Sequence, residues 1–256
     1  MNSKKVKKYS KDENLLKEKL QYLKLTSFLD QYDTVANKAA KNHWTHVQYL
    51  TELTCEEANL RHTRAIERRI KQAKFPVIKT LDDFDWDWPK KINRLQIENL
   101  FRLNFIKKKE NIILIGGVGL GKTHLSTALA YKACLKGYTV QFASAIDIIN
   151  TLVAAQNAGR LKIGMKKYLK PSVLVIDELG YLPVDKKGAD MLFQVISQRY
   201  EQGTIILTTN KSFKKWPEIF NNDSTLTSAL LDRLLHHAEI SVVEGKSYRM
   251  KDQIDE

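Results

Sequence analysis

The stretch Asn111–Gly137, NIILIGGVGLGKTHLSTALAYKACLKG, decides how this chain folds. Asn111 to Ile115 is a short apolar run rich in isoleucine, which reads as a strand buried on both faces. It breaks at Gly116, Gly117, Val118, Gly119, Leu120 and Gly121, then resumes as Lys122-Thr123-His124 and a helical pattern. Strand, glycine loop and helix in that order fit G-x-x-x-x-G-K-[ST], with Gly116 first and Thr123 last. Glycines admit positive-φ turns, so successive backbone N–H groups can converge on phosphate oxygens. The helix that follows points its unpaired N–H groups and partial positive charge at the same oxygens. In such a loop Lys122 reaches the β- and γ-phosphates of ATP, and the Thr123 hydroxyl ligates Mg²⁺. Residues 116–124 are therefore the expected ATP-binding segment.

Working outward, the run SVLVIDELGYL places Asp177 and Glu178 at the exit of a second apolar strand. In an open parallel sheet ligands lie at the carboxyl ends of the strands, beside the glycine loop. Asp177 is the expected Mg²⁺ partner opposite Thr123, and Glu178 the carboxylate that polarises an attacking water. A third run, GTIILTTNKSF, ends in Asn210, whose amide either orients that water and the γ-phosphate or merely starts a turn. Apolar runs at 139–143, 173–177 and 204–208 alternate with helical stretches, which predicts a mostly parallel sheet between helices.

The chain has 256 residues, with 42 Lys and Arg against 29 Asp and Glu, a net charge of +13. Such a balance suits a polyanionic partner such as nucleic acid, or simply solubility. Residues 1–75 hold 16 basic and 9 acidic side chains, so +7, leaving +6 for the other 181. The N-terminal part is thus more than twice as basic per residue. Leucines and Phe28 recur at helical spacing over residues 13–29, and a second pattern from Thr45 reads as one long helix or two. Arg61, Arg64, Arg68 and Lys71 follow i, i+3, i+7, i+10 and share a face, which is either a solvated surface or a contact to DNA phosphates. Phe75-Pro76 ends the pattern, residues 76–90 read as a linker, and 92–105 as a helix leading into the glycine-loop strand. Cys55 and Cys134 have no metal-ligand spacing and are expected to be reduced thiols of a cytoplasmic protein. No apolar core follows the lysines of MNSKKVKKYSKDE and no run of 18 apolar residues exists, so no membrane association is expected.

Together these residues carry a resemblance. The loop at 116–123, the acidic pair at 177–178, the strand ending in TTN and the stretch TSALLDRLLHHAEISVVEGKSYRM resemble AAA+ ATPases of the initiator and helicase-loader branch. IDELGYLP, ILTTNKSF and DRLLHHAE are more similar to the IstB family, ATPase helpers encoded beside the transposase in bacterial insertion sequences. DnaC, the replicative helicase loader, is a relative with a different task. The resemblance implies an α/β fold: an AAA+ P-loop core over 91–256 with a reduced or absent C-terminal lid, and a small all-α domain over 1–75. It implies ATP-dependent self-assembly, binding to duplex DNA and a cognate transposase as partner. Residue by residue it implies that Asn210 is sensor 1, and that Arg233 is the finger reaching a neighbouring subunit's γ-phosphate. Arg249 would stand at the sensor-2 position. Arg199 competes for the finger role. Phe84, Trp86 and Trp88 would flank the adenine or pack between domains. His236 and His237 lack any third ligand nearby and read as a helix end rather than a metal site.

Overall fold

The computed structural model describes residues 2–89 and 91–248, with side chains from Lys11 onward. Compact units span 1–67 and 68–256.

The first unit is helical. α1 (Asn2–Tyr22) and α2 (Thr26–Lys41) are followed by α3 (His46–Ala73). The helical spacing that runs through 13–29 does not yield one helix: the chain turns at Leu23–Leu25, with Lys24 at φ 53°. The pattern from Thr45 gives a single helix rather than two. Among the described residues of this unit, Leu20, Val35, Ala39 and Leu53 are the buried apolar ones. Nothing in its own sequence caps α2, whose N-cap residue is Leu25. The orphan Ser27 N–H donates instead to the buried Glu57 carboxylate on α3, at 2.9 Å.

The second unit contains α4 (Arg94–Leu100), α5 (Asn104–Lys108), β1 (Asn111–Gly116), α6 (Lys122–Leu135), β2 (Val140–Ser144), α7 (Ala145–Asn157) and α8 (Leu161–Leu169). These are followed by β3 (Val173–Leu179), α9 (Lys186–Arg199), β4 (Thr204–Thr209), α10 (Trp216–Ile219), α11 (Ser224–Leu235) and β5 (Ala238–Val243). The helix expected over 92–105 is split because Leu103 takes a left-handed φ of 61° between α4 and α5. The strands form one parallel sheet in the order β2-β3-β4-β1-β5. Their side chains alternate between two cores, as pleating demands. Ile112, Leu114, Val173, Val175 and Ile206 face α4, α5 and α6. Ile113, Leu174, Ile176, Ile205 and Leu207 face α7, α8, α9 and α11. All ten are essentially inaccessible to solvent. Burial of each aliphatic side chain contributes about 1.5–3 kcal/mol, so this double core fixes the strand ends that carry the site.

Short polar caps set where helices start: Ser144 accepts from Asp147 N, Asp185 from Gly188 N and Asp223 from Leu226 N. β5 was not evident from sequence, because its alternation buries Ser241 with Val243 and leaves Ile240 and Val242 half exposed. Among the described residues no α-helix follows β5, and none is long and apolar enough to cross a membrane.

Candidate nucleotide site

The glycine loop leaves β1 and enters α6 with Gly119 at φ 74° and Gly121 at φ 85°. Both conformations are strained for any residue with a Cβ. Space forbids one too: a Cβ at Gly121 would lie 2.6 Å from the Phe84 ring, and one at Gly119 would collide with Ser247. The lysine that follows is only 9% exposed, and its Nζ donates to the Gly117 carbonyl at 2.6 Å. The loop therefore curls around the ammonium group.

Thr123 is the second residue of α6. Its hydroxyl donates at 3.1 Å to each carboxylate oxygen of Asp177. Thr208, on the neighbouring strand β4, donates to Asp177 Oδ1 at 2.5 Å. The same Thr208 oxygen accepts the Glu178 backbone N–H at 2.9 Å. Burial pushes the Asp177 pKa up, and the hydrogen bonds from Thr208 and Thr123 and the charge of Lys122 oppose that push without cancelling it.

Glu178 takes a left-handed φ of 59°, and the β3–β4 register shifts between Ile176 and Leu179. The bulge has a visible result. Leu179 returns to the same core as Leu174 and Ile176, while the intervening Glu178 is exposed in the cavity beside the glycine loop. A conformation costing roughly 1–2 kcal/mol thus presents a carboxylate to the site. Asn210, one residue beyond β4, is exposed and lines the same cavity.

That cavity holds about 630 Å³. Residues 76–89, from the segment expected as a linker with aromatic residues flanking the adenine or packing between domains, form one of its walls. Phe84 is buried against Gly121 and edge-on to His124, with ring centroids 5.4 Å apart. His124 Nε2 lies 2.7 Å from the Thr80 carbonyl oxygen, and Asp83 holds Thr80 through its amide and hydroxyl. Those two bonds keep the Asp83 carboxyl below its ordinary pKa. Trp88 lines the cavity, edge-on to Tyr248 and donating to the Lys246 carbonyl. Trp86 does not line it; it packs on Phe84 and under the Arg94 guanidinium. Tyr248 N donates to the Gly119 carbonyl, so residues 244–248 lie across the loop. Arg249 lies outside the described residues.

Two arginines expected as competitors are separated by the structure. Arg199 is 1% exposed and donates to the carbonyls of Tyr168, Leu169, Pro171, Ser172 and Thr204. Burial lowers its pKa to about 10. A guanidinium so enclosed cannot reach another subunit, and the expectation for Arg199 is withdrawn. Arg233 is half-buried on α11, donates to Ala229 O and lies over the Phe193 ring at 5.0 Å. It borders a separate open groove with Ser224, Ser228 and Asp232 and does not line the nucleotide cavity of its own chain. It forms no ion pair among the described residues.

The four basic residues of α3 also differ from one another. Arg61 pairs with Glu57 at 2.7 Å and donates to Lys24 O, while Arg64 donates to Thr26 Oγ1 at 2.9 Å. Both bind the α1–α2 turn to α3. Arg68 and Lys71 are exposed. The sequence also failed to show a third potential ligand near His236 and His237: Glu201 lies beside both.

A glycine loop at the end of β1, a carboxylate pair ending β3 and an asparagine after β4, on a 2-3-4-1-5 parallel sheet, define a P-loop NTPase of the AAA+ class. The fold is shared with the crystal structure of the DnaC helicase loader, at a TM-score of 0.52 and 24% identity over 64% of this chain and 96% of that one. The family model described as IstB-like ATP binding protein matches residues 18–255, and the chain belongs to that family. It is 40% identical to an insertion sequence IS5376 putative ATP-binding protein of Geobacillus stearothermophilus, over 90% of this chain and 92% of the relative. It is 39% identical to the corresponding IS232 protein of Bacillus thuringiensis subsp. berliner, over 91% and 93%.

Proposed function

We propose that this chain is an ATP-hydrolysing, DNA-binding protein that self-assembles on duplex DNA and assists a transposase in choosing a target. The observation that carries the ATPase reading is the convergence of Lys122, Thr123, Glu178 and Asn210 around one cavity, with Asp177 hydrogen-bonded to Thr123. Its volume lies within the range of small-ligand pockets. The relatives named as insertion-sequence ATP-binding proteins support the transposition role.

In this reading the loop amides of 117–123 and the α6 N-terminus hold the β- and γ-phosphates, with Lys122 leaving Gly117 O to pair with them. Thr123 and Asp177 fit a magnesium site, being a hydroxyl and a carboxylate already in contact on two elements. Mg²⁺ bound there would neutralise charge developing on the phosphoryl oxygens. Glu178, turned out of the strand by its bulge, accepts a proton from the attacking water, and Asn210 orients that water. Arg233 of one subunit completes the site of the next, so ATP joins subunits and hydrolysis releases them. The basic face of α3 contacts DNA phosphates.

A helicase-loading role is the alternative that the shared fold keeps open. Pull-down of a transposase rather than a replicative helicase separates the two. The ATPase itself is tested by phosphate release with and without duplex DNA. Lys122→Ala is expected to lose nucleotide binding, and Glu178→Gln to bind ATP yet turn over at least a hundredfold more slowly. Wild-type phosphate release from Glu178→Gln would remove Glu178 from the mechanism.

A further inference from the structure

Away from the nucleotide cavity, His236 and His237 stand between α11 and β5, their rings tilted by 57° at a centroid distance of 4.1 Å. Opposite them Glu201 stands in the turn between α9 and β4, 3.6 Å from His237 Nε2. One ligand atom from each of the three side chains lies within 4.8 Å of the others, and all three side chains are exposed. We propose that Glu201, His236 and His237 form a binding site for a divalent transition-metal ion of the zinc type.

The ligand chemistry selects that class. Two imidazoles and a carboxylate suit Zn²⁺ and its analogue Co²⁺, whereas Mg²⁺ prefers oxygen donors alone. Donors around a tetrahedral zinc ion stand roughly 3.3–3.5 Å apart, given bonds of about 2.0–2.2 Å. The present separations, up to 4.8 Å, require the exposed side chains to draw together when the ion binds.

The backbone on both sides is fixed. Buried Arg199 ties the α9–β4 turn through Thr204 O, and both Gln202 N and Gly203 N donate back to Arg199 O. Glu201 is held there at φ 57°, a conformation an unconstrained glutamate avoids. Across the gap, His237 O accepts from Asn111 N at 2.7 Å, and Asn111 Nδ2 donates to Leu234 O. The α11–β5 corner is thereby anchored to β1. Tyr200 supplies an outer partner: its hydroxyl lies 2.8 Å from His236 Nδ1, fixing that ring through one nitrogen and leaving the other for an ion. Bound metal would join the end of α11, the helix bearing Arg233, to the turn after α9.

The test uses full-length, tag-free protein stripped with chelator, titrated with Zn²⁺ by calorimetry and with Co²⁺ by visible absorption. The wild type is expected to bind one more ion per chain than His236→Ala/His237→Ala, and that ion is expected to give the intense tetrahedral Co²⁺ bands. Glu201→Gln, which keeps shape and loses charge, is expected to weaken the same site at least tenfold. Zn²⁺ should raise the melting temperature of the wild type and not of the double variant. Equal melting temperatures in chelator would show that the variants fold. Identical stoichiometry and spectra for the wild type and the double variant would overturn the site. Because Asp177 is intact in every variant, an ion at the nucleotide cavity cannot produce the expected difference.

Discussion

Thr208 donates its hydroxyl proton to Asp177 at 2.5 Å, and its oxygen receives the Glu178 amide at 2.9 Å. One side chain on β4 thus holds both the Asp177 carboxylate and the backbone of Glu178 on β3. Thr208→Val keeps the shape and removes both bonds. A hydrogen bond to a charged group contributes about 1.5–3 kcal/mol, so turnover should fall roughly 10- to 150-fold. ATP affinity, carried by the glycine loop, should change little. Measuring phosphate release and nucleotide affinity side by side checks this, and an unchanged turnover would show that Thr208 positions nothing.

Asp177 pays for its location in stability. Burial raises its pKa in the folded protein, so the ionised form is unfavourable there until a cation arrives. Asp177→Asn should therefore melt higher than the wild type in chelator at neutral pH while losing Mg²⁺-dependent hydrolysis. The sign follows from the raised folded pKa. Wild-type stability relative to the variant recovers as pH falls through that pKa, because Asp177 then becomes neutral. Melting curves across the carboxylate range test it; a gap that widens toward acid pH would contradict the assignment.

Arg68 and Lys71 are the side chains to remove when testing DNA contact, since Arg61 and Arg64 also hold the α1–α2 turn. Each lost phosphate contact flattens the slope of log K against log salt by about 0.9 on duplex DNA. Arg68→Ala/Lys71→Ala should reduce the slope by up to twice that, equally on unrelated sequences, because phosphates carry no sequence information. An ATP analogue should tighten wild-type binding by gathering many weak sites on one assembly. An unchanged slope in the double variant would remove this face from the DNA contact.

Much of this was legible in the chain itself, for a physical reason. The glycine loop, Asp177-Glu178 and the strands around them are signals written in consecutive residues, and the parallel sheet follows from their alternation with helices. Contacts made through space were not legible. Thr208 was one of two threonines in TTN, and nothing local distinguishes the one that faces Asp177. Residues 76–90 read as a linker because prolines bound them, and the sequence left Phe84 between an adenine contact and packing between domains; that it is buried against Gly121 is a contact made through space. Arg199 looked available because sequence cannot show five carbonyls converging on it. Glu201 is 35 residues from His236 in sequence, so the chain gave no hint of their meeting.

The central claim is that the ATPase site is shared between subunits, with Arg233 acting on a neighbour's nucleotide. An arginine finger is worth roughly 10³–10⁵ in rate. Arg233→Ala should bind ATP and fail to hydrolyse it; Lys122→Ala should fail to bind it. Mixed on duplex DNA, the two inactive proteins form interfaces that join an intact glycine loop to an intact Arg233. Phosphate release should then appear, rising to a maximum at intermediate mixing ratios. No release at any ratio, with mixed assemblies shown to form, would contradict a shared site.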